Sequence, residues 1–347
     1  LVALAFTALF APLFGRLVDR HGVRKVTLPA IACFALLTAG LGSVAFGAIS
    51  FIAMYAVLGA VSAGHAPTAF AKVIIGWYRE RRGFALGAAM SAVGVGGAAA
   101  PMVTKMLIDH FGWRGAYVGL GILIALIAIP ATLLLVREPA GTSASGALPA
   151  QAADNIKGLA IWRDRDFCLM ASIFALMGMA ATGVISHLVA MLTDRGMAPA
   201  MAVQTASAAG LALIGGRLAA GLLLDWLGGR TVTLIFLSLM IIGNGLLLMP
   251  GFANPIIPAI LAGLGLGAEV DLLGYLLSAR YGLRGFASRY GTLFGVFTVS
   301  SGVGSLVMGI TFDASSGYQL GLGLLSGALI ASMAFTLALP KLGAERC

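Results

Sequence analysis

Long charge-free runs alternate with short polar punctuation along the whole chain. Residues 1–14 carry no charge, and residues 26–71 carry none apart from the titratable His65. An α-helix needs roughly 17–25 predominantly apolar residues to cross the hydrocarbon core of a bilayer, and runs of about that size recur to the end of the sequence. The pattern predicts eleven helices, at 1–14, 26–46, 51–75, 84–108, 116–136, 167–192, 200–224, 232–249, 255–278, 290–312 and 319–339. The longest polar segment, 137–166, holds Gly, Ser, Ala and Pro in its first part and charges in its second, and reads as a linker. It divides the chain into a helix bundle at 1–136 and another at 167–347. The expected fold class is all-α and integral to a membrane.

The punctuation is uneven. Between Gly15 and Lys25, four cations (Arg16, Arg20, Arg24 and Lys25) surround a single acid, Asp19. Gly15 and Gly22 permit a sharp turn and close approach of neighbouring helices, and an acid favours the positive N-terminal end of a helix. If this turn is cytoplasmic, so are the loops 77–83, 137–166 and 279–289. With the turn at Arg230 and the C-terminal tail, they hold seventeen of the 22 Lys+Arg, against only Arg114 and Arg195 in the opposite loops. That is the positive-inside bias of a multi-pass protein, expected in the plasma (inner) membrane.

Composition agrees. The chain has 347 residues, 60% hydrophobic and 10% charged, with a mean hydropathy of +1.00, whereas a soluble domain holds about 25% charged residues. An excess of 22 Lys+Arg over 13 Asp+Glu would suggest nucleic acid in a soluble chain. Here the cations sit in loops with no aromatic-interleaved basic patch, so the expected surroundings are lipid bilayer and no nucleic acid. Cys33, Cys168 and Cys347 are too far apart for a disulfide framework or a metal spacing. The chain opens on Leu1 without a charged leader, so no signal peptide is expected.

The sequence also repeats itself. Gly15, Asp19, Gly22 and Arg24 align without gaps on Gly221, Asp225, Gly228 and Arg230, an offset of 206 residues. Arg82-Gly83-Phe84-Ala85 recurs as Arg284-Gly285-Phe286-Ala287 at an offset of 202. Asp109 and Gly112-Trp113 are echoed by Asp313 and Gly317-Tyr318 at 204 to 205. Equivalent loops fall on one membrane side, so the repeat is parallel. By the same offset the helix at 167–192 has no partner after Leu1, and a further helix upstream, twelve in all, is expected.

The stretch Gly15–Lys25 and its counterpart Gly221–Arg230 resemble the signature loop of the major facilitator superfamily, with Val23 and His21 as departures. Two six-helix halves, a long central linker and a parallel repeat are what that resemblance implies. Within the superfamily, Trp77, Arg82-Gly83-Phe84-Ala85-Leu86-Gly87, Gly112-Trp113-Arg114 and Ile214-Gly215-Gly216-Arg217 resemble the monocarboxylate and oxalate/formate transporter group. The drug/proton antiporter signature is not matched, since Ala100 rather than Gly precedes Pro101. The resemblance implies that Asp19 meets the start of a helix near Phe286–Arg289. It implies too that Arg20 and Arg24 form a charge network holding a gate shut. In the second copy Trp226 stands in place of Arg20, so an asymmetric pair of gating turns is expected: Gly15, Asp19, Arg20, Gly22 and Arg24 against Gly221, Asp225 and Arg230.

A charge at mid-helix costs about 2.5–3.5 kcal/mol on insertion scales, so each asks for a reason. Arg217, two turns from the Asp225 turn, can bind a carboxylate bidentately, the role the resemblance implies for it. The structural alternative is a pair with Glu269 or Asp271. The group's acid one turn before this arginine is absent, Leu213 standing there. Glu269 and Asp271, two residues apart, lie about 200° apart around a helix, so at most one faces a cavity squarely. Either is a candidate for proton coupling, with a packing network as the alternative. Gly263 and Gly267 permit a close helix neighbour, and Tyr275, one turn past Asp271, is a candidate hydrogen-bond partner and substrate contact. His65, beside a kink expected at Pro67, is a further candidate contact, weighed against a packing role. His187 reads as interfacial, Lys105 as an i,i+4 partner of Asp109, Lys72 as a snorkelling side chain, and Asn244 and Gln204 as interhelical amides.

Nothing points to catalysis, a metal or a cofactor. Gly94, Gly96 and Gly97 lie in a predicted membrane helix, and no phosphate-binding loop is present. The expected function is proton-coupled movement of a small organic anion, a monocarboxylate, by alternating access in a monomer. The alternatives are a carrier of a neutral or cationic solute and a non-transporting membrane receptor.

Overall fold

The computed structural model describes residues 2–44, 47–78, 81–138, 158–249 and 254–340. Most of the linker (139–157), Arg79 and Glu80 of the loop 77–83, and the tail 341–347 lie outside the described residues. Among these residues eleven α-helices follow one another: α1 (Val2–His21), α2 (Val23–Val44), α3 (Ala48–Ser62), α4 (Pro67–Trp77), α5 (Arg82–Leu135), α6 (Arg165–Asp194), α7 (Pro199–Leu227), α8 (Gly229–Leu248), α9 (Ile256–Tyr281), α10 (Phe286–Ser315) and α11 (Gln319–Ala338). Among the described residues, ten helical stretches are long and apolar enough to cross a membrane. Helix is what a bilayer demands, because every backbone polar group must be satisfied within its own segment.

Three corrections concern helix boundaries. The polar stretch 15–25 is not an open turn: α1 runs to His21, α2 begins at Val23, and Gly22 alone joins them at φ 90°. Gly228, with φ 75°, joins α7 to α8 in the same way, so the repeat preserves a one-residue junction that only glycine adopts without strain. Second, the predicted helices at 84–108 and 116–136 are the two arms of α5, separated only at Gly112 (φ 68°). Third, the helix predicted at 51–75 is broken rather than bent. A 3-10 turn, Ala63–His65, separates α3 from α4, and Pro67 takes the first position of α4, where its missing N–H leaves nothing unsatisfied.

The chain forms two compact units. The first comprises Leu1–Arg79, Val95–Lys157 and Tyr281–Gly295. In it the backbone of α1 closes on its neighbours at small residues. Gly59 of α3 lies against the Ala3 backbone, Gly15 against the Ala287 carbonyl, and Gly291 against the Ala11 carbonyl. Thr7 donates to the Gly59 carbonyl at 2.9 Å and shares a 2.7 Å hydrogen bond with Ser62. The second unit comprises Glu80–Gly94, Gly158–Arg280 and Val296–Cys347. Its core is built on α6, where Phe167, Met170, Ile173, Phe174 and Met177 are wholly buried, and on α9.

Candidate functional site

A buried charge cluster forms where α7 and α9 run side by side in the second unit. Gly263 lies against the Ala209 carbonyl and Gly267 against the Leu213 carbonyl. Both pairs differ by 54 residues, so the helices are parallel and in register over two turns. The next position in that register pairs Asp271 with Arg217, and there Arg217 Nη1 stands 3.9 Å from Asp271 Oδ1. Asp271 and Glu269 are fully buried and Arg217 is 7% exposed. A hydrogen-bonded pair of this kind normally closes to about 2.7–2.9 Å. Arg217 Nε and Nη1 and all four carboxyl oxygens have no hydrogen-bond partner among the described residues.

The two acids face different helices, as their spacing requires. Glu269 shares a stripe of α9 with Gly265, which packs on Met240 of α8, and with Leu276, which packs on Gly229. Of the two acids, Asp271 alone comes within ion-pair distance of Arg217 among the described residues.

Tyr275 corrects an expectation. It does not hydrogen-bond Asp271, whose oxygens are unpartnered. Its ring instead carries the Arg82 guanidinium, 4.6 Å from the ring centroid. His65 lies in the first unit, at the 3-10 break, with its ring edge-to-face against Phe34 at 4.7 Å and Nδ1 without a hydrogen-bond partner. The structure thus gathers Arg217, Asp271 and Glu269 in one unit and leaves His65 in the other.

The duplicated turns do one thing twice: each aspartate accepts the first N–H groups of another helix. Asp19 Oδ2 accepts from Ser288 N at 2.8 Å and Oδ1 from Ala287 N at 3.3 Å, at the start of α10. This is the stretch where a partner for Asp19 is expected. Asp225 accepts from Gly83 N at 2.8 Å and Phe84 N at 2.9 Å, at the start of α5. These donors are orphaned by the helix geometry, and a carboxylate there also meets the positive end of the dipole.

The first copy has a cation that the sequence reading set aside. Lys72 Nζ donates to Asp19 Oδ1 at 2.8 Å, with both side chains nearly buried, so it does not snorkel. Its signal in the sequence is a lone cation at the end of an otherwise charge-free run. Arg20 and Arg24, expected in that network, are exposed and make no ion pair among the described residues. Glu138 was also missed: one of its carboxylate oxygens accepts the Val23 N–H at the start of α2. Arg230 donates to the Leu337 carbonyl at 2.6 Å. Lys105 pairs with Asp109 at 2.6 Å as its spacing predicts.

Ten helical stretches of membrane-crossing length among the described residues, a buried arginine–carboxylate cluster and paired aspartate caps define a multi-pass helical membrane protein. The chain belongs to the Major Facilitator Superfamily, whose profile matches residues 1–309. It is similar to human Monocarboxylate transporter 11, at 28% identity over 76% of this chain, and spans 58% of that relative's length. The mouse Monocarboxylate transporter 11 is 26% identical over 98% of this chain and 77% of its own length. In fold the chain resembles the crystal structure of the E. coli fucose:proton symporter FucP, with a TM-score of 0.74, 17% identity, and coverage of 98% of this chain and 89% of that one.

Proposed function

We propose that this protein moves a small organic anion, a monocarboxylate, with protons across the plasma membrane by alternating access. The observation that carries the reading is the loose engagement of Arg217: two guanidinium donors of a buried cation are without acceptors, and its counter-ion stands off at 3.9 Å. A substrate carboxylate can take those donors in a bidentate fork. Relatives that bear the name monocarboxylate transporter support the substrate class.

Charge counting supports the coupling. One cation faces two acids, so the empty cluster is neutral with one proton bound, and Glu269, the acid without an ion-pair partner, holds it. A substrate carboxylate adds one negative charge, and a second proton restores neutrality, so one proton crosses per anion. Asp271 is then the counter-ion that yields to substrate. It supplies from α9 the acid that Leu213 does not supply from α7. The bundles at 1–136 and 167–347 alternate access to the cluster within a monomer, with loops 15–25, 77–83, 137–166 and 279–289 on the cytoplasmic side.

Uptake of labelled pyruvate, glucose and choline into proteoliposomes tests this. Pyruvate uptake is expected to rise with an inward proton gradient and to be indifferent to membrane potential. Removing one partner of a buried charge pair costs about 2–5 kcal/mol, so Arg217→Ala is expected to lower uptake by at least about 30-fold. Transport of glucose or choline without pyruvate would overturn the reading.

A further inference from the structure

We propose that Arg82 and Tyr275 link the anion cluster to the Asp225 cap, so that the first turn of α5 is released when substrate displaces Asp271 from Arg217. The inference rests on Arg217 and Asp271 being the anion site. All the groups involved belong to the second unit.

The first turns of α5 touch both helices of the cluster. On α7, a Cβ at Gly87 would meet the Arg217 carbonyl at 2.5 Å and Gly221 Cα at 3.1 Å. A Cβ at Gly83 would meet the Gly221 carbonyl at 2.6 Å and Leu224 Cβ at 2.8 Å. The α7 stripe beneath α5 therefore begins at the anion-binding arginine and ends at Asp225, which holds the Gly83 and Phe84 N–H groups. On α9, Arg82 stacks on Tyr275, one turn from Asp271, and that ring is only 4% exposed.

One helical turn thus reports on the spacing of α7 and α9, and that spacing is set by whether Arg217 faces Asp271 or a ligand. A shift of α9 relative to α7 cannot preserve both the Arg82–Tyr275 stack and the Asp225 cap, because both are made by consecutive residues of α5. Among the described residues the first copy shows a different arrangement. Its cation, Lys72, goes to the aspartate itself, and its stacked pair is Arg289 on Tyr281, 4.9 Å from the ring centroid. Arg82 and Tyr275 act in this link as positioning residues, and both bias the state of α5.

The test uses the full chain in proteoliposomes, with Cys33, Cys168 and Cys347 replaced by Ser and a reporter at Leu224→Cys, a position covered by Gly83. The readout is the rate of labelling by a membrane-impermeant maleimide, with and without pyruvate. In the otherwise native background pyruvate is expected to raise labelling. A desolvated cation–π contact is strong enough that its loss should shift the closed–open balance by about tenfold. Tyr275→Leu and Arg82→Gln are therefore expected to raise labelling about that much without pyruvate, whereas Tyr275→Phe, which keeps the ring, stays native-like. The double variant should be no more open than either single one.

Native labelling in Arg82→Gln, or opening by Tyr275→Phe equal to that by Tyr275→Leu, would overturn the link. Should Tyr275→Leu fail to reach the membrane, Arg82→Gln with Tyr275→Phe still decides. A native background that labels identically with and without pyruvate counts against the anion site instead. In that case the basal rates of the variants continue to test the link.

Discussion

Asp271 and Glu269 share a helix turn, a burial class and a charge, yet their substitution should not give the same protein. Asp271→Asn leaves Arg217 without the one carboxylate within 4 Å of it among the described residues, and breaking a buried pair costs about 3–5 kcal/mol. Asp271→Asn is therefore expected to lower the Tm measured in detergent, to lower the KM for anion because nothing has to be displaced from Arg217, and to remove the rise of uptake as external pH falls. Glu269→Gln removes no ion pair and mimics the protonated acid that the charge count assigns to this position, so its Tm and the rise of uptake as external pH falls should both stay near native. A lost pH response in Glu269→Gln would move the transported proton from Asp271 to Glu269. The sequence showed that these two acids must diverge, because two positions are about 200° of helix. Which of them meets Arg217 was also written there, in the four-residue steps Gly263, Gly267, Asp271 and Ala209, Leu213, Arg217. It became readable only once the glycine contacts set the helix register. Lys72 was not legible in that way: a cation near a helix end is ordinary, and its partner lies 53 residues away.

At the scale of elements, charge-free runs located every helix, while boundaries moved wherever polar residues continued a helix past the apolar core. Nothing in Arg16–His21 disfavours helix, so α1 extends until Gly22 supplies the positive φ that ends it. The repeat extends to contacts that identity alone hides. Trp77 Nε1 donates to the Arg137 carbonyl at 2.7 Å in one unit, and Arg280 Nη2 to the Pro340 carbonyl at 2.6 Å in the other, donor and acceptor both offset by 203 residues. The donors are unlike, so alignment by residue type passes over them. Helix contact also sorts the glycines. A Cβ at Gly267 would press on the Leu213 carbonyl and on Arg217 N, whereas one at Gly245 meets nothing within 4 Å. Gly267→Ala is therefore expected to destabilise by about 1–3 kcal/mol, as overpacking does. Gly245→Ala should gain about 0.5–1 kcal/mol from helix propensity. Thermal unfolding of the two variants checks the difference, and equal Tm values would show that α7 and α9 can part without cost.

Across the whole molecule the two aspartate caps have one form and unequal holding power. Asp225 satisfies two amide donors of α5, and losing a helix cap costs about 0.5–2 kcal/mol. Asp19 satisfies two amides of α10 and also neutralises Lys72, whose side chain is 10% exposed. Its loss leaves a nearly buried ammonium unpaired, at the higher cost of a broken buried pair, about 3–5 kcal/mol. An asymmetry predicted on these grounds rests on Lys72 rather than on Trp226 replacing Arg20, since Arg20 is exposed and makes no ion pair among the described residues. Asp19→Ala is predicted to impair uptake and lower Tm more than Asp225→Ala, with equal effects or the reverse order counting against an unequal pair. Stability and gating separate in one further variant. An ion pair replaced by apolar side chains of similar volume is often neutral, so Asp19→Ala with Lys72→Met should recover much of the Tm lost in Asp19→Ala. It cannot restore the α10 cap, so uptake should stay low. If uptake recovers together with Tm, Asp19 serves folding alone, and the duplicated turn is a structural joint rather than a gate.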